Sequence, residues 1–549
     1  MNRLMGMLGL VLVVGVGLGM RLEAEPTSPA KSNAVGGLSA RIDQHLAKRW
    51  AAENVTPAPL TDDATFLRRV SLDIVGKIPP VGETREFLAD TDPDKRAKLV
   101  DRLLDSPAYT AHYAAMWRDI LIPEAATNLE VRFVLPGFES WLKRKFLDNT
   151  AYDQLVRDLL TARIASETMP QPGPMNQLQA ATPVGFYTAK QVKPENIAAA
   201  ASRMFLGVRI ECAQCHDHPF DTWKQEQFWS FSSFFAGLGR EGADPDNPFS
   251  GAIKEVLERR ELTIPVKGTV VQAAFLTGEK PVWKEAGPRT TLADWITSRD
   301  NPWFARALVN RMWGHFFGTG LIDPIDDFSS ENKPSHPELL DELAHEFAAH
   351  DFDLKFLIRT IVNSRGYQLG SEQTHASQSN PRLFAKMSIK SLTPAQLFDS
   401  LARATGYFER RAERDQTNSF NNEASPRSQF LETFSDNSET SADQSTTILQ
   451  ALQMMNGQFI ADSTSLERNE RTNLIPSELL TAVVNFPLFT TAERIEALYL
   501  AALIRPPRPQ EIDRMVKHFD SYGNTSEASK AYGDILWALL NSSEFLFNH

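Results

Sequence analysis

Cysteine is scarce in this chain, which has only Cys212 and Cys215 among its 549 residues. Two cysteines can form at most one disulfide, which cannot stabilise a chain of this size, so a fold built on disulfides is excluded. Positive charge is also in deficit, because 57 Lys and Arg stand against 69 Asp and Glu and leave a net charge of -12. Since there is no general basic field to attract a phosphate backbone, nucleic acid is not an expected partner.

The signatures of several common enzyme classes are missing as well. The sequence has no Gly-rich phosphate loop, no G-x-S-x-G elbow and no H-E-x-x-H helix. No internal repeat is present, which argues against a solenoid or a propeller. The composition does supply 42% hydrophobic residues, enough for two or three globular domains with a large buried core.

One long apolar run occurs, and it lies at the N-terminus. Arg3 precedes an uncharged stretch from Leu4 to Met20, and Ala24 follows shortly afterwards. This order is typical of an export signal, so residues 1–24 are predicted to be a signal peptide cleaved near Ala24. The alternative is an uncleaved membrane anchor, for which the run is slightly short. Export predicts a periplasmic, cell-envelope or extracellular protein with no membrane span after cleavage.

The two cysteines belong to the most informative motif of the chain, Cys212-Ala213-Gln214-Cys215-His216. If two cysteines were placed at random, they would lie three residues apart with a histidine directly after them in roughly one chain in ten thousand. Two thiols one short turn apart can each add to a vinyl group of one porphyrin, and the following imidazole can then bind the iron. The motif predicts covalent haem c, with Cys212 and Cys215 as attachment residues and His216 as metal ligand.

Three other kinds of site are compatible with the motif. A thioredoxin-type redox pair needs a strand before the first cysteine, whereas the preceding segment has a helical pattern. Structural zinc usually draws its ligands from two separated segments, although four donors are present here. A plain disulfide would close a very small loop and stabilise the fold little. The four zinc donors would be Cys212, Cys215, His216 and His218.

Helical patterns lie on both sides of the motif. Apolar residues recur at helical spacing from Pro194 to Val208, so a helix is predicted to end just before the cysteines. Asp221 is predicted to cap a second helix with three phenylalanines on one face. This aromatic wall could shield a macrocycle, and the alternative is that the rings are ordinary core residues. The three rings are those of Phe228, Phe231 and Phe235.

Four segments of the chain carry a family resemblance. They are FLGVRIECAQCHDHPFDTW (205–223), NRMWGHFFGTGLIDPIDDFS (310–329), KPSHPELLDELA (333–344) and LLNSSEFLFNH (539–549). These segments resemble planctomycete-type secreted cytochrome-like proteins, which pair two domains of unknown function. The likeness covers nearly all of the chain after its signal peptide. It implies a two-domain architecture, export and a connection with haem, without implying a particular reaction.

The predicted fold is mainly α, with two helical domains joined by a small β segment. The first domain spans 35–240 and carries the motif, a β-rich connector spans 241–289, and the second helical domain spans 290–549. Within the second domain, the polar stretch 411–447 lacks periodicity and is predicted to be a mobile or extended insertion. Because both halves carry many apolar helical faces, we expect them to dock through a sizeable interface.

Capping residues predict the ends of individual helices. Asp62 or Asp63 opens a helix that Gly76 ends. Thr393 opens another helix, which ends before Gly406. Near the C-terminus, the pattern of apolar residues predicts one helical segment over residues 528–547.

Polar residues outside the motif are further candidates. His315 and Met312 could supply the second axial ligand to iron, and burial of the apolar tail could carry His549 inward. The alternatives are a packed or capping histidine at 315 and a frayed surface position for 549. An acidic loop has the oxygen ligands that calcium prefers, but its spacing matches no EF-hand and favours a solvated or helix-capping cluster. The loop residues are Asp323, Asp326, Asp327 and Glu331.

Taken together, these patterns predict an exported c-type cytochrome-like protein with covalent haem. It would perform electron transfer or haem-dependent redox chemistry, with a redox partner or envelope protein that the sequence leaves unnamed. A second protein ligand on the iron favours electron transfer, and an open sixth position favours peroxide or oxygen chemistry. The alternative is a non-catalytic cell-envelope binding or scaffolding protein with a zinc or disulfide CxxC site.

Overall fold

Helices dominate the computed structural model, as the mainly α prediction requires. The strands of the described chain form three antiparallel pairs of two strands each. The predicted signal peptide lies outside the described residues, and none of the described helices is long and apolar enough to cross a membrane. The structure describes residues 29–126, 128–164, 181–242, 251–285, 287–408, 425–434, 448–467, 477–523 and 528–549.

The first half of the chain is helical up to the motif and just beyond it. The helices are α1 (Pro29–Glu53), α2 (Asp63–Val75), α3 (Val81–Ala89), α4 (Lys95–Leu104), α5 (Pro107–Leu121), α6 (Leu129–Leu147), α7 (Tyr152–Leu160), α8 (Val184–Ala189), α9 (Pro194–Ala201) and α10 (Gln225–Ser232). The capping prediction for α2 is confirmed. The Asp62 carboxylate accepts the N–H of Thr65 at 2.8 Å, and Gly76 ends the helix in the left-handed conformation.

Two short hairpins follow α10. Strand β1 (Leu238–Glu241) pairs with β2 (Ala252–Glu255), and β3 (Glu261–Thr263) pairs with β4 (Val270–Gln272), both antiparallel. The β3–β4 hairpin packs against α10, and Val271 at its centre is buried. Strands β2, β3 and β4 lie within 241–289, so the short strands predicted for the β-rich connector are present.

The second half is again helical. Its elements are α11 (Pro288–Ile296), α12 (Phe304–Phe317), α13 (Pro337–Ala349), α14 (Leu354–Val362), β5 (Lys390–Ser391), α15 (Pro394–Thr405), α16 (Pro426–Phe434), α17 (Ile448–Asn456), α18 (Gln458–Ser463), α19 (Glu478–Asn485), α20 (Thr491–Ala502), α21 (Pro509–Ser521), α22 (Lys530–Leu540), α23 (Ser543–Leu546) and β6 (Phe547–Asn548). Thr393 forms a capping box with Gln396, and Gly406 is left-handed, so the prediction for α15 is confirmed.

Two predictions for the second half are wrong in part. The single helix over 528–547 is broken, because the Ser542 hydroxyl caps a new helix by accepting the N–H of Phe545 at 3.3 Å. The polar stretch 411–447 contains α16, whose Phe430 is buried against Phe398 of α15. Its aromatic anchor holds this helix in place despite the polar composition around it. The rest of that stretch lies outside the described residues.

One apolar core runs through both halves of the molecule. Helix α1 packs against α13 and α14, and α2 packs against the C-terminal strand β6. The buried apolar side chains of the two halves form a single contiguous cluster. The expectation of a sizeable interface between the halves is confirmed.

A buried polar network ties the C-terminus to α2. The carboxylate of Asp73 accepts hydrogen bonds from Lys390 Nζ at 2.7 Å, from the Tyr367 hydroxyl at 2.7 Å and from Asn548 Nδ2 at 2.8 Å. Asp73 is almost fully buried, so its charge needs these donors. The neighbouring Arg69 donates to the carbonyl oxygen of His549 at 3.1 Å.

The frayed position expected for His549 is therefore wrong. Strand β6 pairs with β5, and residues just before His549 accept hydrogen bonds from buried Arg68, whose Nη2 lies 2.6 Å from the Phe545 carbonyl oxygen. Burial lowers the pKa of the His549 imidazole, with Arg68 adding to the effect. The backbone hydrogen bonds outweigh the entropy that usually frays a chain end.

Candidate functional site

The motif begins where the helix before it ends. Helix α9 continues as a π-helical turn over Ser202–Leu206, which ends at the left-handed Gly207. A 3₁₀ turn over Glu211–Gln214 then carries the first cysteine. The predicted position of the motif just after a helix is confirmed, and the π turn is the part that apolar spacing did not indicate.

Side chains of α10 hold the backbone of the motif turn by hydrogen bonds. The indole N–H of Trp229 donates to the Gln214 carbonyl at 3.0 Å, and Nε2 of Gln225 donates to the Cys215 carbonyl at 2.8 Å. Ala213, between the cysteines, is fully buried. The backbone of the turn is thus fixed while both thiols, which are free, stand on the exposed side. Nothing in the spacing of Gln225 and Trp229 pointed to this role.

The predicted cap of α10 is corrected by the structure. Asp221 does not cap this helix, which begins four residues later at Gln225. Instead the carboxylate of Asp217 accepts the N–H of Gln225 at 3.0 Å. This backbone hydrogen bond is the largest cause that lowers the pKa of Asp217, and an ion pair with Lys224 lowers the pKa further. The loop between the motif and α10 is longer than a tight cap, because residues 218–223 form a turn of their own.

His216 has the hydrogen-bond geometry of a ready metal ligand. Its Nδ1 lies 2.7 Å from the Asp217 carbonyl oxygen. A carbonyl can only accept, so Nδ1 carries the ring proton and Nε2 keeps its lone pair. This pairing of Nδ1 with a backbone carbonyl is the arrangement that orients metal-binding histidines in general. The side chain of His216 is exposed, as the thiols are.

His218 has the opposite arrangement. The backbone N–H of Phe220 donates to its Nδ1 at 3.2 Å, so Nδ1 is the acceptor and Nε2 carries the proton. An imidazole in this state has no free lone pair for a metal. Cys212, Cys215 and His216 thus lie exposed on one short turn, and the hydrogen bond of His218 separates that residue from the set. In the described part of the chain, no group of three or more His, Cys, Asp or Glu side chains is arranged to hold a metal ion.

The aromatic side chains of α10 and of the 3₁₀ turn Ser233–Phe235 that follows it belong to the core. Phe228, Phe231 and Phe235 are buried, and Phe231 contacts Phe234 and Trp295 edge to face. These rings therefore form no exposed wall for a macrocycle, and the interpretation of them as ordinary core residues is confirmed. The physical reason is that the β3–β4 hairpin and α11 cover the face on which the phenylalanines lie.

The candidate axial ligands in the second half are engaged elsewhere. His315 is partly buried, its Nε2 lies 2.9 Å from the Asp73 carbonyl oxygen, and its ring contacts His112 and Tyr113. Burial lowers its pKa, which keeps the imidazole neutral. Met312 is buried in the core. The interpretation of His315 as a packed histidine is thus correct.

The acidic loop is held by neighbouring side chains. Asp326 forms an ion pair with Arg311, and Asp323 and Glu331 are exposed to solvent. The amide of buried Asn310 donates to the Ile322 carbonyl at 2.8 Å and to the Ile325 carbonyl at 3.0 Å. A solvated cluster describes this loop better than a calcium site does. Asn310, which shapes the loop, was not recognised from the sequence.

Comparison with known families gives two matches. Residues 41–240 match PSCyt2, a protein family of unknown function (DUF1549), and residues 288–519 match PSD1, a protein family of unknown function (DUF1553). No curated protein and no solved structure shows significant similarity to the chain. The first match contains the whole cysteine motif, and strands β2 to β4 lie between the two matches.

Proposed function

The chain belongs to the proteins that pair a PSCyt2 (DUF1549) domain with a PSD1 (DUF1553) domain, and on this premise we propose that it is an exported c-type cytochrome-like protein. It binds one haem covalently through Cys212 and Cys215, with His216 as axial ligand. The observation that carries the proposal is the motif turn, which presents two free thiols and an imidazole whose Nε2 keeps its lone pair. Export follows from the apolar leader that precedes the first domain.

The residues of the turn have separate tasks in this proposal. Cys212 and Cys215 supply the sulfur atoms for two thioether bonds, and their exposure gives a porphyrin access to both. Asp217 holds the imidazole of His216 through its backbone carbonyl, and Gln225 and Trp229 keep the turn from shifting. Bound haem would supply one-electron redox chemistry. Two cysteine sulfurs and an imidazole are the donor types that covalent haem requires.

The sixth iron position decides which redox role applies. Met312 is buried, and partly buried His315 is hydrogen-bonded to the carbonyl oxygen of Asp73. The strong candidates for a second protein ligand are therefore tied down in the core. An iron that has no second protein ligand would favour haem-dependent redox chemistry over simple electron transfer.

A pyridine haemochrome spectrum tests the proposal on protein produced with a haem-attachment system. We expect the spectrum of a haem joined by two thioether bonds. His216→Ala should change the absorption of the folded protein strongly, because the iron loses its axial ligand. His218→Ala is the matched control and should leave the absorption unchanged, because its Nε2 carries a proton. A wild-type protein with a zinc ion or a Cys212–Cys215 disulfide and no haem would support the binding or scaffolding alternative.

A further inference from the structure

The loop between the motif turn and α10 is closed by hydrogen bonds between its two ends. The Asp217 carboxylate accepts hydrogen bonds from the N–H of Gln225 at 3.0 Å and from the ammonium of Lys224 at 3.1 Å. One residue after Asp217, the N–H of His218 donates to the carbonyl oxygen of Trp223 at 2.8 Å. Although this loop lies largely on the surface, its backbone is tied to the start of α10.

These hydrogen bonds hold the peptide group that orients His216. The C=O of this group belongs to Asp217 and lies 2.7 Å from Nδ1 of His216. Its N–H belongs to His218 and donates to Trp223. Because a peptide group is planar, holding its N–H also sets the direction of its C=O. The fixed C=O in turn favours one orientation of the imidazole, in which Nδ1 carries the proton.

Gln225 connects the same loop to the cysteines. Its backbone N–H donates to the Asp217 carboxylate, and its side-chain Nε2 donates to the carbonyl oxygens of Gln214 at 3.1 Å and Cys215 at 2.8 Å. Gln225 is buried, so packing holds this connecting residue in place. Removing the Asp217 carboxylate would release the loop from α10 and leave the hydrogen bonds between Gln225 and the motif turn intact.

We propose that Asp217 is a positioning residue for His216, whose carboxylate sets the tautomer and the direction of this imidazole before haem is attached. This inference rests on the proposed function and names the side chain that prepares its axial ligand. Asp217 acts through its own backbone carbonyl and supplies no bond to iron. Removing a group that orients a ligating histidine typically changes metal affinity or activity roughly 10–100-fold, because the hydrogen bond at Nδ1 raises the basicity of Nε2.

The first measurement uses the full-length protein without haem, at about pH 8, where an ordinary histidine is neutral. Nuclear magnetic resonance of isotope-labelled histidine should show the proton of His216 on Nδ1. Asp217→Ala should replace this single tautomer by a mixture, because the carbonyl is no longer held. Asp217→Asn should largely restore it, since the amide oxygen still accepts the N–H of Gln225. Asp217 is exposed, so the fold should survive both changes, which circular dichroism checks.

The matched control is another aspartate of the same loop. The carboxylate of Asp221 accepts the N–H of the adjacent Thr222 at 2.7 Å and does not cap α10. Asp221→Ala should therefore keep the tautomer of the wild-type protein.

The second measurement uses the haem-loaded protein. Asp217→Ala should raise the reduction potential, because a weaker hydrogen bond at Nδ1 makes Nε2 less basic and favours reduced iron. At the potential where half of the wild-type protein is reduced, this variant should contain roughly threefold more reduced than oxidised iron. Asp217→Asn and the Asp221→Ala control should stay close to the wild type.

The outcomes separate this inference from the proposed function. A single Nδ1 tautomer that survives in Asp217→Ala, or a reduction potential that this variant leaves unchanged, overturns the positioning role and leaves covalent attachment intact. An equal effect of Asp221→Ala also overturns it, because the change would then belong to the loop as a whole. Absence of haem from the wild-type protein overturns both proposals.

Discussion

At the scale of single residues, buried histidines make the stability of the fold sensitive to acid. Burial, with a smaller contribution from the neighbouring His315, lowers the pKa of His112 in α5 to about 3. The Nε2 atom of His112 is buried without a hydrogen-bond partner in the described chain. Burial also lowers the pKa of His336 to about 4. All these imidazoles are neutral in the folded state near neutral pH.

Acid should therefore destabilise the fold through its buried histidines. His112 binds a proton below about pH 6.5 in the unfolded chain but not in the folded protein, so stability is full above that pH and is lost as the pH falls. Between pH 6 and 5, proton binding by His112 in the unfolded chain should lower the free energy of unfolding by up to about 1.4 kcal/mol per pH unit. His112→Gln should abolish this contribution, so that the free energy of unfolding falls less steeply with pH. Urea unfolding at several pH values measures the slope.

The control for this pH experiment is an exposed histidine. His345 is exposed on α13, and His345→Gln should keep the slope of the wild-type protein. Equal slopes for His112→Gln and the wild type would show that the buried imidazole is not the source of the acid sensitivity.

The end of α9 is the element that joins the motif segment to the second half. The carbonyl oxygen of Gly207 accepts the N–H of Phe328 at 2.9 Å. A Cβ atom at this position would lie 2.6 Å from the Phe328 ring, and the φ of 68° already disfavours other residues. Gly207 therefore allows the chain that leads to Cys212 to approach the acidic loop closely.

This close approach can be tested with two matched glycines. Gly242 has nearly the same φ, 69°, but open space where a Cβ would stand. Alanine costs about 1–2 kcal/mol at either position because of the backbone, and overpacking against Phe328 adds about 1–3 kcal/mol at Gly207 alone. Urea unfolding should show the larger loss for Gly207→Ala. Equal losses would mean that the ring moves aside without cost.

Helices with clear capping residues at their ends could be predicted from the sequence. Elements that depend on contacts between distant residues could not. The caps of α2 and α15 are local interactions between residues three or four apart, so their pattern is visible in the sequence. Helix α16 within 411–447 depends on the packing of Phe430, whose partner Phe398 lies in another helix. This long-range contact is not visible in the local sequence pattern. The same limit applied to the site. The spacing of its cysteines identified it, whereas the roles of Gln225 and Trp229 depend on how α10 packs.

At the scale of the whole molecule, the two halves of the described chain share one apolar core. The tail residue Asn548 donates to Asp73 of α2, almost the full length of the chain away. Arg68 and Arg69 of the same helix donate to carbonyl oxygens of the tail. Since the apolar core is also continuous, neither half is complete without the other.

Asn548→Ala should weaken both halves together. The variant removes a hydrogen bond to a buried carboxylate and should cost about 1.5–3 kcal/mol of the free energy of unfolding. Asn541→Ala is the control, because Asn541 donates only to a helix carbonyl at 2.9 Å and its loss should cost about 1 kcal/mol. Circular dichroism and tryptophan fluorescence should report one transition with coincident midpoints. Two separate transitions would show that the halves fold independently.

Covalent attachment of haem at the motif turn is the central claim, and a haem stain of a denaturing gel tests it most directly. Wild-type protein produced with a haem-attachment system should carry a stain that migrates with the polypeptide, because thioether bonds survive denaturation. Cys212→Ala combined with Cys215→Ala should abolish the stain, whereas His216→Ala should weaken it far less. A folded wild-type protein with no stain and one stoichiometric zinc ion would contradict the account.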